Sequence, residues 1–157
     1  MDIAQIKLAF IQDYGEGYQH FGFPKLMGRI VGLLLFEGKA MSLDEITTEL
    51  NVSKGPVSQI TNRLKEHKVI ERVWVPGSRK DHYQAQSEIF GNAFYNRMQL
   101  QKQNLLLANK FHKLLERVPE NEAPEFRKNI SEMAEFYQLM MKHYKNFLDE
   151  WMHRHDK

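Results

Sequence analysis

The 157-residue chain contains no cysteine. That excludes disulfides, thiolate nucleophiles and Cys-based zinc sites, and it fits a reducing compartment. Long apolar runs are also missing. The longest, Ile30 to Phe36, is interrupted by Gly32, and a membrane helix needs about 20 residues. Met1-Asp2 leads directly into a helical pattern without a basic, apolar, small-residue leader, so a cytoplasmic protein with no membrane partner is expected. The seven histidines lack ligand-like spacing. His153 and His155 lie two apart, and on a helix such a pair points to different faces. No metal site and no cofactor is expected. There is no nucleophile–base pattern, no phosphate-cradling glycine loop and no credible carboxylate pair, so the chain reads as a non-enzyme.

Net charge is only +2, so a basic surface has to be local. Residues 1–52 carry −3, residues 84–157 carry +1, and residues 53–83 carry +4. A short stretch therefore holds the positive field, as a phosphate backbone requires.

The chain reads as mainly helical. Ile3, Ile6, Phe10, Tyr14 and Phe21 space a first helix over 2–21, with Gly15 and Gly17 marking a bend near Tyr14 to Tyr18. Pro24 opens a second helix to about Glu37, apolar nearly all round and therefore central to the core. Gly28 and Gly32, four apart, let another helix approach, and Gly38 is the C-cap. Ser42-Leu43-Asp44-Glu45 is a capping box that starts a short helix to Leu50. Asn51 turns the chain, and Ser53 caps a further helix to about His67 with Val57, Ile60 and Leu64 inward. Val69 to Val75 has strand composition, Pro76-Gly77-Ser78 is a turn, and His82 to Ala85 returns. Two long helices follow. One carries Ile89, Phe90, Phe94, Met98, Leu105, Ala108, Phe111 and Leu115. The other carries Phe126, Ile130, Met133, Tyr137, Met140, Tyr144, Phe147 and Trp151.

Helix, tight turn, helix and basic hairpin make a winged helix-turn-helix. Once the inward positions are removed, Ser53, Lys54, Gly55, Ser58, Gln59, Asn62, Arg63 and Lys65 remain on the outer face of the second helix. Gln59 and Asn62 suit adenine, Arg63 suits guanine, and the Ser and Lys residues suit phosphates. At the wing, Arg79 suits a narrow minor groove and Lys80 a flanking phosphate, with Asp81 expected to orient one of them.

Phe23-Pro24-Lys25-Leu26-Met27-Gly28-Arg29-Ile30-Val31-Gly32-Leu33-Leu34-Leu35 resembles the opening motif of GbsR-like regulators, a branch of the MarR-type winged-helix repressors. Ser42 to Glu45, Val52 to Gly55, Val57-Ser58 and Glu71 to Asp81 are similar to later motifs of that family. The resemblance covers about residues 22–85. It implies a cytoplasmic, homodimeric transcription regulator on a pseudo-palindromic operator. The named branch is linked to choline and glycine betaine. Two departures stand out: Pro56 replaces a small polar residue, and Lys68 stands where glycine commonly precedes the strand.

The resulting organisation is an N-terminal dimerisation helix (1–22), a winged helix-turn-helix (23–86) and C-terminal dimerisation helices (87–157), one compact domain per subunit. A single two-layer domain cannot cover all these apolar faces, whereas a symmetric dimer can. Phe10, Tyr14, Tyr18, Phe21 and Phe23 are a candidate effector pocket for a choline-like cation, since ring faces hold quaternary ammonium groups. Plain packing is the competing reading of that cluster. The expected function is a sequence-specific double-stranded DNA-binding regulator. The rival is a winged-helix protein-interaction module without DNA.

Overall fold

α2 (Lys25–Glu37) forms the centre of the first core, with Met27, Ile30, Val31, Leu33 and Leu34 all buried. A segment apolar on nearly every side has no face to offer water, so neighbours pack around it. Gly38 ends it at φ 61°, the left-handed geometry that suits a residue without Cβ. The structure, a computed structural model, describes residues 2–154; His155 lies outside them. Packing divides the chain after Asn92 into two compact units.

In the first unit, α1 (Ile3–His20) starts at an Asp2/Gln5 capping box and packs along α2. It runs unbroken through Gly15 and Gly17, where the sequence suggested a bend. The glycines serve contact instead. A Cβ on Gly28 would stand 2.5 Å from the Tyr14 carbonyl oxygen and 2.8 Å from the Gly15 Cα. The two backbones therefore meet directly, as the Gly28/Gly32 spacing predicted.

β1 (Met41–Ser42) precedes α3 (Leu43–Leu50). Ser42 belongs to the strand and also caps the helix. Its hydroxyl accepts from the Glu45 N–H at 3.3 Å, and its own N–H donates to Glu45 Oε2 at 2.7 Å. Asn51, at φ 50°, turns the chain into α4 (Lys54–Glu66). Val57, Thr61 and Leu64 face inward from α4. The Thr61 hydroxyl is satisfied by the Val57 and Ser58 carbonyls, so a polar residue completes an otherwise apolar stripe.

β2 (Ile70–Val73) and β3 (His82–Ala85) form the hairpin, and β1 adds to the other edge of β3 in the antiparallel order β1-β3-β2. The first strand is shorter than expected. The ladder ends at Val73 opposite His82, so Trp74 and Val75 fall in the wing loop, and Trp74 is 79% exposed. A two-residue strand such as β1 has no readable period in sequence. Lys68, just before β2, takes φ 55°, the backbone region in which glycine has the advantage.

α5 (Ile89–Leu115) begins in the first unit and continues into the second, where α6 (Pro124–Met152) follows. Phe111 meets Phe126 near the turn, and Phe94 meets Tyr144 and Phe147 at the far end, so the two helices run antiparallel. The Arg127 guanidinium donates to the carbonyls of Leu115, Val118, Pro119 and Glu122 at 2.7–3.0 Å. It thereby satisfies acceptors that the end of α5 leaves open.

Candidate nucleic-acid interface

α4 reaches the surface because α2 and α3 hold its inner stripe: Val57 and Leu64 are fully buried while the opposite face is exposed. Ser53, Lys54, Gly55, Gln59, Asn62, Arg63 and Lys65 are all exposed, and Ser58 is half-buried. The structure therefore brings the eight expected positions onto one helix and its N-cap. Lys65 Nζ lies 3.4 Å from Asn62 Oδ1, a pairing within the helix that leaves both heads at the surface. Gln59 and Arg63 make no side-chain hydrogen bond or ion pair among the described residues.

Ser53 differs from its expected role. It occupies the N-cap with extended backbone, yet its side chain makes no capping hydrogen bond. Pro56 removes one of its two possible donors: an N-cap oxygen accepts from the second or third helical N–H, and the third residue here is a proline, which has none; the Gly55 N–H, the other, is not used by the Ser53 side chain either. The Ser53 hydroxyl and the first N–H groups of α4 are thus left uncapped at the helix end that attracts anions.

The wing loop spans residues 74–81, with Gly77 at φ 80° in its turn. Arg79 is exposed and unpaired among the described residues. Asp81 does not orient Arg79 or Lys80. It pairs with Arg72 across the hairpin at 3.2 Å, because Arg72 lies at the mouth of the loop. Lys80 instead reaches α3, where its Nζ lies 2.7 Å from Asp44 Oδ2, while Lys54 Nζ lies 2.9 Å from Asp44 Oδ1. Hydrogen bonds from Lys80 and then Lys54 hold the Asp44 carboxyl down to about 2, and Asp44 holds Lys80 above its ordinary value. Asp44 is a site residue that the sequence reading missed. Its one local signal was a place in a capping box, and the wing lysine it meets lies 36 positions away.

Four of the five aromatic residues set aside as an effector pocket form a file. Ring centroids are 5.3 Å apart for Phe10–Tyr14, 5.6 Å for Tyr14–Tyr18 and 5.9 Å for Tyr18–Phe23, all tilted. Burial pushes the Tyr18 phenol up to about 12 and raises Tyr14 too, so both rings stay neutral. Phe21 is largely exposed. Among the described residues there is no group of three or more His, Asp or Glu side chains placed to hold a metal ion.

These elements define a winged helix-turn-helix fold, mainly helical with a small antiparallel sheet. No family model matches the chain. Two proteins of Bacillus subtilis (strain 168) are similar to it. YvaV, named as an HTH-type transcriptional regulator, is 27% identical over 97% of this chain and 86% of its own length. OpcR, named as an HTH-type transcriptional repressor, is 24% identical over 93% of this chain and 76% of its own. A crystal structure of a transcriptional regulator superposes with a TM-score of 0.76 at 22% identity, covering 93% of this chain and 97% of that one. At such identity the structural likeness is one of fold. No helix among the described residues is long and apolar enough to cross a membrane.

Proposed function

We propose that the protein is a sequence-specific double-stranded DNA-binding transcription regulator, acting as a homodimeric repressor on a pseudo-palindromic operator in the cytoplasm. One observation carries this reading. An exposed face of Gln59, Asn62 and Arg63 stands on a helix whose opposite side is sealed into the core, with an exposed Arg79 on the adjacent wing. A surface meant for a protein partner would gain from apolar anchors at its centre, and this face offers amide and guanidinium donors instead. The names of the two curated relatives support the same reading.

In this reading Gln59, Asn62 and Arg63 read base edges. Ser53, Lys54, Gly55, Ser58 and Lys65 set the helix on phosphates, and Arg79 and Lys80 anchor the wing. The uncapped start of α4 adds backbone N–H donors to that phosphate contact. The apolar faces of α1, α5 and α6 join two copies, which places two reading heads about 34–36 Å apart. The Phe10–Phe23 aromatic file is the candidate effector site, and the motifs of residues 22–85 favour the GbsR-like branch.

Selection of duplexes from a random pool at near-physiological salt tests the function. An enriched inverted repeat with half-sites about one helical turn apart is expected. Arg63→Ala or Gln59→Ala then weakens the selected duplex by about 1–3 kcal/mol and relaxes preference at one position. Equal loss on every duplex would remove Gln59 from base reading. No retention on any duplex at low salt would favour the protein-interaction module.

A further inference from the structure

Lys54 and Lys80 come from different elements and are both expected to contact phosphate, yet both end on one carboxylate. Asp44 Oδ1 takes the Lys54 ammonium at 2.9 Å and Oδ2 takes Lys80 at 2.7 Å. Two ammonium groups converging on one planar anion form a cradle for a single negative group, and Asp44 fills it from within the protein. The three side chains are 46–64% exposed. Lys80 reaches Asp44 along a cleft of about 580 Å³ lined by Ser42, Glu45, Ser78 and His82, so its ammonium can leave without unpacking any core. Exposed pairs of this kind are weak and exchange their partners readily. A DNA phosphate offers the same lysines an equivalent anion.

We propose that Asp44 is a specificity-determining residue: it occupies the Lys54–Lys80 cradle in the free protein and competes there with DNA phosphate, so that these lysines add little to binding of arbitrary sequence. A duplex that satisfies Gln59, Asn62 and Arg63 holds the heads close enough for phosphate to displace the carboxylate. A duplex that does not satisfy them leaves the lysines on Asp44. The inference rests on the DNA-binding reading and adds an internal competitor to it. Asp44 also ties the wing loop and the start of α4 to α3, which keeps the wing pre-positioned beside the reading face.

The test uses the full chain and a mixed-sequence 30-base-pair duplex, with affinity measured from low to moderate salt. Asp44→Asn is expected to bind that duplex about tenfold more tightly at low salt, with a log–log salt slope steeper by about 1–2 for each bound protomer. Lys80→Gln is expected to change the wild-type slope by less than about 0.5, and to change it by about 0.9 in the Asp44→Asn background. Unchanged affinity and slope in Asp44→Asn would overturn the proposal. A uniform loss of affinity would overturn it as well, reducing Asp44 to a structural tie. If Asp44→Asn does not fold, judged by far-UV circular dichroism, Lys80→Gln alone decides: a slope change near 0.9 in the otherwise wild-type chain would show an unmasked lysine. Failure of every form to bind the duplex at low salt would strike the DNA-binding reading itself, whereas binding by all forms alike strikes only this inference.

Discussion

In the first unit, Ile30, Leu33, Leu34, Ile46, Leu64 and Ile70 are closed off from solvent by neighbours from four helices and a sheet. In the second, the residues buried most deeply include two alanines, Ala108 and Ala134, while Leu100, Phe136 and Leu139 are each more than half exposed. The difference is geometric. Layers that enclose a central helix can cover it all round. Two antiparallel helices cover only the stripe each turns to the other. α6 keeps one apolar stripe for α5, through Tyr144 and Phe147. It carries a second, Phe136 and Leu139, with nothing over it among the described residues. The contrast between a complete core and an open one is the physical ground for proposing a dimer.

Four measurements break or sharpen that contrast. The largest effect belongs to the closed core. Leu34→Ala removes a buried side chain from rigid surroundings and is expected to lower unfolding stability by about 2–5 kcal/mol in urea titration. A loss under 1 kcal/mol would mean that the core is looser than its burial indicates. Next comes the open face. Phe136→Lys leaves the protomer folded, since the ring is 59% exposed, but weakens self-association about tenfold, or about 1.4 kcal/mol, in analytical ultracentrifugation. An unchanged sedimentation profile would take Phe136 out of the interface.

Smaller still is Lys68→Gly, expected to stabilise the chain by about 0.5–1 kcal/mol by relieving the left-handed backbone at φ 55°. The smallest effect is at Lys7, which pairs with Glu37 at 2.7 Å and Glu49 at 2.6 Å and so ties α1 to α2 and α3. Those bonds hold Glu37 below its ordinary 4.5 and Lys7 above its ordinary 10.5. The Glu37 contribution is present above pH 4.5 and is lost as pH falls through its lower folded value. The Lys7 contribution is present below pH 10.5 and is lost as pH rises through its raised value. Lys7→Met is therefore expected to be less stable by about 0.2–0.5 kcal/mol near neutral pH. The gap closes in strong acid and strong base, which thermal unfolding across pH would detect.

Much of this was legible in the residues. The Ser42/Glu45 capping box, Asn51 in the left-handed region, Gly38 as C-cap and the return strand at His82 to Ala85 all stand where local chemistry placed them. Each depends on neighbours within a few positions. The exposed face of α4 was legible for a similar reason: the 3.6-residue period separates Val57 and Leu64 from Gln59 and Arg63. The Ser53 side chain does not cap α4, and a neighbour also in view removes one of its two possible donors, since Pro56 has no N–H.

What the sequence determined by itself is therefore the succession of the helices and the hairpin, several of their caps and the polar face of one helix, because caps, turns and periodicity are short-range. Tertiary structure alone decided the partners. Asp44 meets Lys80 from 36 positions away, Arg72 takes the aspartate expected to serve Arg79 or Lys80, and β1 finds an edge of β3 that two residues could never announce. It also turned Gly15 from an apparent weak point into the surface that Gly28 meets between α1 and α2. Such pairings depend on where whole helices pack, and packing responds to the shape of the entire core rather than to any local run of residues.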